Sequence, residues 1–355
     1  MDLNQIFRDQ YRLHRRTFIV AEIGVNHNGR MELAQRLIEA AAGCGADAVK
    51  FQAFIPEQMI VKGTPKVHYQ KSNSSEGEDQ YTMLNRLRFN SSQLNQLKEY
   101  AEKMGLIFFA SVFDEESASE LGEMGVALFK VPSGELTNHF LIRKLAKYDK
   151  PVMISTGMAS LGEIETAVRC AETAGIHRLL LLHCVSVYPA PMEDLNLSFI
   201  PALKEIFKLP VGFSDHSPGT TAAIAATALG AVMIEKHFTL DKSMEGPDHQ
   251  ASIEPEEFQQ LVKCIRETEF ALGEGRKQLS SRELEMGLFT RKSIVSVVNI
   301  GAGEIITREM LTLKRPGIGI NPGLIEKIVG KQALHNIPED TLLAWGDFDV
   351  LGDKL

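Results

Sequence analysis

The sequence has few cysteines, no long hydrophobic run and no surplus of positive charge. Its four cysteines, Cys44, Cys170, Cys184 and Cys264, are far apart and form no CxxC pair, so they predict reduced core residues. No apolar stretch approaches the length of a membrane span. The formal net charge of −8 disfavours nucleic acid or an anionic membrane as a partner.

The N-terminus lacks the hydrophobic core of a secretory signal, although it carries several arginines. We therefore expect a cytoplasmic protein whose residues 1–17 form a solvated arm. The chain also lacks a glycine-rich nucleotide-binding loop. Its 355 residues have an ordinary globular composition, 44% hydrophobic and 24% charged, and suffice for one large domain and one small domain.

The segment 211–250 shows the repeating unit of the predicted fold. A short apolar run ends in Ser214 and His216, a helix of small residues follows, and a second apolar run ends at His237. Strand, helix and strand in this order form the unit of a parallel sheet. Because side chains alternate along a strand, Ser214 and His216 share one face, and Glu235 and His237 do so on the next strand. The two histidines can therefore converge on one metal ion.

Eight such strands occur between residues 18 and 237, each followed by a helix or a helix-bearing connection. This number and order predict an α/β fold, the (β/α)8 TIM barrel, whose functional side chains lie at the carboxyl ends of the strands. Polar residues lie at or just beyond those ends throughout the chain: Glu22, Lys50, Gln52, Ser111, Lys130, Ser133, Glu135, Ser155, Tyr188, Ser214, His216 and His237. We predict that these side chains surround one pocket.

The character of the sequence changes after residue 273, where a glycine ends the last barrel helix. The fragment NIGAGEII at 299–306 is echoed by NIPEDTLL at 336–343, and such an internal repeat predicts a small pseudo-symmetric β-rich domain. The predicted division of the chain is an N-terminal arm at 1–17, a barrel at 18–273, a linker at 274–290 and the small domain at 291–355.

The predicted pocket combines cations, hydroxyls, carboxylates and imidazoles. Lys50 and Lys130, together with serine hydroxyls, make a seat for a phosphate or a carboxylate. Histidines that hold a divalent ion would polarise the carbonyl oxygen of a second substrate, and Glu22 or Glu135 could move a proton. Glu22 either contacts the metal as a third ligand or contacts one of the metal's ligands. The pattern predicts the joining of a phosphorylated or carboxylated carbon nucleophile to a carbonyl.

Several motifs resemble those of the sialic acid synthase family. They are AEIGVNHNG at 21–29, VKFQ at 49–52, FKVPSGE at 129–135, ISTGM at 154–158, SDH at 214–216, EKHF at 235–238, GPDH at 246–249 and KRPG at 314–317. The similarity covers nearly everything from Phe18 onward, and the segments 161–165 and 234–242 look closest to the legionaminic acid synthase branch. The resemblance implies a TIM barrel followed by an antifreeze-like (SAF) domain.

The resemblance also implies a reaction. The family condenses phosphoenolpyruvate with an N-acetylated hexosamine and releases phosphate. The sugar would be N-acetylmannosamine or its 2,4-diacetamido-trideoxy analogue, and the product N-acetylneuraminate or N,N'-diacetyllegionaminate. Mn²⁺ would be the cofactor, with Mg²⁺ or Co²⁺ in its place.

Roles for single residues follow from the same resemblance. Lys50, Lys130, Ser133, Ser155 and Ser214 would hold phosphoenolpyruvate. The metal would bind to His216 and His237, the acid or base would be Glu135, and the amino sugar would contact Gln52, Tyr188 and Asp248. Arg315 resembles the arginine that the family inserts into the partner subunit's barrel, which implies a domain-swapped homodimer.

Two other classes of protein remain open on the sequence. The first is another metal-dependent barrel aldolase or lyase, which would turn over a substrate without phosphoenolpyruvate. The second is a non-catalytic carbohydrate-binding protein built on the C-terminal domain, which would need neither Lys50 nor the histidines. The complete anion seat and the histidine pair favour the synthase.

Overall fold

The computed structural model describes residues 6–7, 16–66 and 78–349. The chain divides into two compact units between Gly275 and Arg276, and each unit has its own apolar core. The predicted arm at 1–17 lies largely outside the described residues. The predicted domain boundaries and the predicted linker stay predictions.

Eight parallel strands form a closed barrel in the first unit. Each strand pairs with the next one in the sequence, and the last strand closes the ring on the first in a register that sets Glu22 opposite His237. The predicted (β/α)8 barrel is therefore confirmed. The strands are β1 (Phe18–Gly24), β2 (Ala48–Ala53), β3 (Ile107–Val112), β4 (Phe129–Val131), β5 (Val152–Ser155), β6 (Leu179–Cys184), β7 (Val211–Asp215) and β8 (Met233–His237).

Helices connect the strands on the outside of the barrel, and local sequence signals set their ends. At the start of the helix Leu161–Thr173 a capping box joins Ser160 and Glu163, each of which accepts a hydrogen bond from the other's backbone N–H. Gly125 ends the helix Glu115–Met124 in the left-handed conformation, with φ of 74°. The described helices of this unit are α1 (Met31–Gly43), α2 (Pro56–Met59), α3 (Gln80–Leu87), α4 (Ser91–Lys103), α5 (Glu115–Met124), α6 (His139–Leu145), α7 (Leu161–Thr173), α8 (Phe199–Phe207), α9 (Thr221–Ala228) and α10 (Pro255–Leu272).

The two faces of the barrel strands lie in two separate apolar layers. Outward-facing residues such as Ile19, Val49 and Phe51 pack into the layer that contains the helices. A second layer, here called the apolar floor, fills the amino-terminal end of the barrel interior and consists of Phe18, Val20, Ala48, Phe109, Leu128, Met153, Leu180, Leu182 and Met233. Ile6 and Phe7 pack against this floor. Fully buried strands of this kind are typical of parallel sheets covered on both sides.

The second unit is a small β-rich fold with one described α-helix. It contains α11 (Ser281–Thr290), β9 (Ser293–Ser296) and β10 (Leu311–Lys314), and the two strands are antiparallel. The two echoed fragments pair with each other through an antiparallel bridge between Ile300 and Ile337. Asn299 Oδ1 accepts a hydrogen bond from the Glu339 N–H at 2.9 Å, and Asn336 Oδ1 accepts one from the Ala302 N–H at 2.8 Å. The internal repeat is thus a structural pseudo-symmetry.

The segment predicted to be a linker contains helix α11. A capping box between Ser280 and Glu283 begins this helix, and none of its residues is buried. Among the described helices of both units, none combines the length and the apolar character that a membrane span requires.

Candidate active site

A cavity of about 610 Å³ lies at the carboxyl ends of the barrel strands. Its inner wall is a ring of side chains, one from each strand: Glu22, Lys50, Ser111, Lys130, Ser155, Cys184, Ser214 and Glu235. Each ring residue lies two positions after a residue of the apolar floor, except on β7, where Ser214 lies two positions after Gly212. The strand period of two places these side chains in the barrel interior. Six other predicted residues also line the cavity: Gln52, Ser133, Tyr188, His216, His237 and Asp248.

A buried cluster of lysines and carboxylates occupies the centre of this ring. Lys50 Nζ lies 3.2 Å from Glu22 Oε2 and 3.2 Å from Glu235 Oε1. Lys130 Nζ donates to the same Glu235 oxygen at 3.1 Å, and Ser214 Oγ donates to it at 2.9 Å. Each of these side chains is at most 5% exposed. Charges so deeply buried persist only when paired.

Burial opposes ionisation in this cluster, and neighbouring charges decide the outcome at each group. Burial raises the pKa of Glu22 to about 7, although Lys50 acts against it. Burial also acts to raise the pKa of Glu235, but Lys130 and Lys50 outweigh it and hold that pKa below its usual range. The pKa of Lys50 is raised because Glu22 and Glu235 outweigh burial, whereas burial lowers the pKa of Lys130. Glu235 is therefore the ionised carboxylate, and Glu22 is the one that can carry a proton near neutral pH.

The two predicted metal ligands lie next to each other on the cavity wall. The ring centroids of His216 and His237 are 5.6 Å apart, and Tyr188 packs on His216 with a centroid distance of 4.1 Å. His216 Nδ1 lies 2.7 Å from the Val185 carbonyl oxygen. A carbonyl can only accept, so Nδ1 carries a proton, and Nε2 presents a lone pair when the ring is neutral. Burial acts to lower the pKa of His216, but Cys184 outweighs it and raises that pKa.

His237 has the features of an imidazole kept neutral. Its Nδ1 is buried with no hydrogen-bond partner among the described residues, and burial holds its pKa well below the usual value. Asp248 Oδ2 lies 4.0 Å from this nitrogen, and burial raises the pKa of Asp248 to about 6. Within residues 6–7, 16–66 and 78–349, no group of three or more His, Cys, Asp or Glu side chains is arranged to hold a metal. The pair could supply part of a metal's ligands, with water or substrate oxygen as the rest.

Two serines of the predicted anion seat differ in their bonding. Ser133 Oγ accepts from the Gly157 N–H at 3.1 Å and approaches Cys184 Sγ at 3.6 Å. Ser155 Oγ is buried and has no hydrogen-bond partner in the described part of the chain. A buried hydroxyl is seldom left unpaired in a working protein, so Ser155 is suited to bind a ligand oxygen.

Two predicted site residues do not line the described wall of the cavity. Glu135 ends a 3₁₀ turn, Ser133–Glu135, and its carboxylate accepts from Asn138 Nδ2 at 2.8 Å. Burial raises the pKa of Glu135. Arg315 is an exposed residue of the second unit. The predicted roles of both residues stay predictions.

Three residues of the inner ring were given no binding or catalytic role from the sequence, although Ser111 was predicted to lie around the pocket. Ser111 Oγ accepts a hydrogen bond from Lys50 Nζ at 2.7 Å. Cys184 Sγ lies 3.8 Å from His216 Nδ1, and although burial acts to raise the pKa of the thiol, His216 outweighs it and brings that pKa to about 7. Glu235 joins both lysines. Its sequence signal was its place two residues before His237, on the same face of the strand.

Fold and site together define a (β/α)8 barrel with a buried lysine–carboxylate cluster beside an imidazole pair. The model of the NeuB family matches residues 37–277, and that of the SAF domain matches residues 291–349. The chain belongs to the NeuB family, as the motifs predicted, and it carries a SAF domain in its second unit.

Individual relatives agree with this placement. The chain is 45% identical over 331 residues to the N,N'-diacetyllegionaminic acid synthase of Campylobacter jejuni, covering 93% of this chain and 99% of that protein. It is 38% identical over 341 residues to the N-acetylneuraminate-9-phosphate synthase of Homo sapiens, with 95% and 94% covered. A solved N-acetylneuraminic acid synthetase from Leptospira borgpetersenii, in complex with citrate, matches with a TM-score of 0.68 and 35% identity over 77% of this chain and 90% of that one.

Proposed function

We propose that this protein is a nonulosonic acid synthase. It condenses phosphoenolpyruvate with an N-acetylated hexosamine, to give a sialic-type acid and phosphate. The observation that carries the proposal is the pair of buried ammonium groups, Lys50 and Lys130, next to buried serine hydroxyls at the carboxyl end of the barrel. Such a pair is costly without an anion and matches the charge of a phosphorylated enol acid.

The sugar that fits best is the 2,4-diacetamido-2,4,6-trideoxy analogue of N-acetylmannosamine. The supporting observation is the higher identity to the legionaminic acid synthase of Campylobacter jejuni, 45%, than to the human synthase, 38%. The product would then be N,N'-diacetyllegionaminate, with N-acetylneuraminate as the alternative. The contacts to the sugar would come from Gln52, Tyr188 and Asp248, which lie on the cavity wall.

Lys50, Lys130, Ser133, Ser155 and Ser214 hold phosphoenolpyruvate in this proposal. Their buried setting strengthens charge-assisted hydrogen bonds and fixes the orientation of the enol. Its C3 attacks the aldehyde carbon of the open-chain sugar, water adds at C2, and the resulting tetrahedral centre loses phosphate by C–O cleavage. Holding both reactants in place accounts for much of the rate gain, because a bimolecular step becomes effectively intramolecular.

His216 and His237 would hold a divalent ion, with Mn²⁺ as the first choice and Mg²⁺ or Co²⁺ in its place. Two observations support this assignment. Nδ1 of His237 is buried with no hydrogen-bond partner among the described residues, and Nδ1 of His216 bonds to the Val185 carbonyl, which leaves Nε2 as the nitrogen that can bind an ion. When bound, the ion would supply Lewis-acid polarisation of the sugar aldehyde.

A carboxylate moves the protons of the reaction. Glu22 is the first candidate, because burial brings its pKa to about 7, so that both its protonation states are populated at neutral pH. Glu135 is the second candidate, because burial raises its pKa as well and its neighbours Ser133 and Gly134 line the cavity.

The assembly proposed is a domain-swapped homodimer in the cytoplasm. Arg315 of one subunit would reach the barrel of the other and bind the acyl group of the sugar. The exposed position of Arg315 supports its proposed contact with a partner. The four free cysteines suit a reducing compartment and support the cytoplasmic location.

One assay tests the proposed function. Phosphate release from phosphoenolpyruvate is measured with Mn²⁺ and a panel of sugars that includes N-acetylmannosamine and 2,4-diacetamido-2,4,6-trideoxymannose. We expect release to depend on the sugar and to be lost in His237→Ala, with the far-UV spectrum unchanged. Turnover of a sugar without phosphoenolpyruvate would point to an aldolase instead, and full activity of His237→Ala after chelation would refute the metal role.

A further inference from the structure

Three of the five residues proposed to seat phosphoenolpyruvate already bind an anion that belongs to the protein. Glu235 Oε1 lies 3.2 Å from Lys50 Nζ, 3.1 Å from Lys130 Nζ and 2.9 Å from Ser214 Oγ. An incoming phosphate or carboxylate group needs the same donors. It must therefore share them with Glu235 or displace it.

The hydrogen bonds of Glu235 show what holds its carboxylate in place. All three of its partners contact Oε1, and Oε2 is buried with no hydrogen-bond partner among the described residues. No other described group anchors the carboxylate, so its position depends on the donors of the anion seat. A ligand that engages those donors weakens the contacts that fix Glu235.

A second buried ion pair on the opposite face of the same strands provides a contrast. Lys236 Nζ donates to Asp215 Oδ2 at 2.7 Å and to the Ser217 carbonyl oxygen at 2.7 Å. The other oxygen of Asp215 accepts from the Ser217 N–H at 2.8 Å and from its hydroxyl at 2.6 Å. Both carboxylate oxygens are thus engaged, away from the cavity, as expected of a fixed structural pair. Glu235 has one unused oxygen and lines the cavity.

We propose that Glu235 is an internal counter-anion, which competes with substrate and with product phosphate for Lys50, Lys130 and Ser214. This inference rests on the proposed function, since it takes these three residues as the phosphoenolpyruvate seat. Each binding event exchanges the Glu235 contacts for ligand contacts, so the net affinity is lower than two unpaired lysines would give. Each release of phosphate is assisted by the return of Glu235. The residue thereby keeps the seat from being trapped by its own product.

The proposal predicts tighter anion binding when the charge of Glu235 is removed. The probe is inorganic phosphate, titrated calorimetrically into the full-length wild type and into Glu235→Gln. We expect the dissociation constant for phosphate to fall about tenfold or more in the variant, because one negative charge within hydrogen-bond distance of both ammoniums is lost. We also expect KM for phosphoenolpyruvate and kcat to fall together, with product phosphate a stronger inhibitor. A merely structural role would not tighten phosphate binding.

Two further variants keep the test decisive. Glu235→Asp keeps the charge but withdraws it by one methylene, so phosphate affinity should lie between those of wild type and Glu235→Gln; this variant also serves if the Gln protein does not fold. Glu22→Gln is the matched control, since Glu22 contacts Lys50 but lies apart from the contacts of Lys130. It should tighten phosphate binding less than Glu235→Gln does.

The results separate this inference from the proposed function. If the wild type turns over phosphoenolpyruvate while the Gln and Asp variants bind phosphate no more tightly than it does, the inference is overturned and the proposed function stands. If no form binds phosphate and no sugar supports turnover, both are overturned. Tighter phosphate binding in the order wild type, Asp, Gln supports the inference whichever sugar proves to be the substrate.

Discussion

At its amino-terminal end the barrel interior is filled by hydrocarbon side chains, such as Val20, Phe109 and Met233. Two residues further along the same strands stand Glu22, Ser111 and Glu235, in a ring that holds two lysines. The two layers share strands, register and burial, and differ only in side chains. The apolar floor stabilises the barrel by burying hydrocarbon surface. The ring above it destabilises the barrel, because its charged groups have lost their hydration. The floor also excludes water from below, which strengthens every electrostatic contact in the ring.

The largest expected effect comes from removing a cation from the ring. Lys50→Met should lower kcat/KM for phosphoenolpyruvate by about 10³-fold, because the seat loses a charged donor, Glu22 loses its lysine and Glu235 loses one of its two. Steady-state kinetics measure this, with Lys98→Met as the control. Lys98 pairs with Glu102 on α4 and does not line the cavity, so its loss should leave the rate nearly unchanged. A Lys50→Met enzyme within tenfold of wild type would remove Lys50 from the seat.

The next largest effect distinguishes the floor from the ring along one strand. Phe109→Ala should lower the free energy of unfolding by about 3–5 kcal/mol, because removing the fully buried phenyl group leaves a cavity. Ser111→Ala, two residues on, should cost only about 1 kcal/mol of stability while it lowers activity, since Lys50 loses an acceptor. Denaturant titrations and kinetics of both variants measure the contrast. Equal effects of both substitutions on stability would contradict the separation of the layers.

Glu22 links the stability of the ring to pH. A pKa of about 7 in the folded protein, against about 4.5 when unfolded, means that folding retains a proton between these pH values. The free energy of unfolding therefore falls by up to about 3 kcal/mol as pH rises through this window, and it is level above the window. In Glu22→Gln this loss should be absent, so the melting temperature of the variant should gain on that of wild type from pH 5 to pH 8. A constant difference would show that the pKa of Glu22 is not raised.

The smallest effect concerns the one floor position on β7 that has no side chain. A Cβ at Gly212 would lie 2.6 Å from Leu182 Cδ2 and 2.8 Å from the Met233 carbonyl oxygen. Gly212→Ala should therefore destabilise the barrel by about 1–3 kcal/mol through overpacking. Gly134→Ala is the control, because a Cβ there has no neighbour within 4 Å. If both alanine variants melt together, the floor is less tightly packed than the distances indicate.

Much of this architecture was predictable because strand periodicity is strict. The alternation of apolar and polar residues predicted which side chains share the pocket, and Lys50, Lys130, Ser155 and Ser214 lie together in the structure as expected. Glu235 was assigned no role, because a lone carboxylate beside a histidine gives no sign in sequence that it joins two lysines from distant strands. That knowledge requires the closed ring.

Prediction was weaker where the strand ends. Glu135 follows β4 inside a 3₁₀ turn, where the period of two no longer applies, and its side chain bonds to Asn138. Helix α11 was missed although its capping signal, Ser280 followed by Glu283, is present in the sequence. The surrounding residues are charged and polar, which made a linker the simpler interpretation. Neither strand periodicity nor a capping signal bears on the role of Arg315, because its predicted partner is another subunit.

The two-residue step between the floor and the ring also bears on how such a protein evolves. Point substitutions at ring positions can exchange the chemistry of the cavity while the layer below keeps the fold intact. A one-residue insertion within a strand would do the opposite, since it would turn the helix-facing residues of that strand inward and its ring residue outward. Diversification of this scaffold is therefore open to replacement at fixed positions and closed to length changes in its strands.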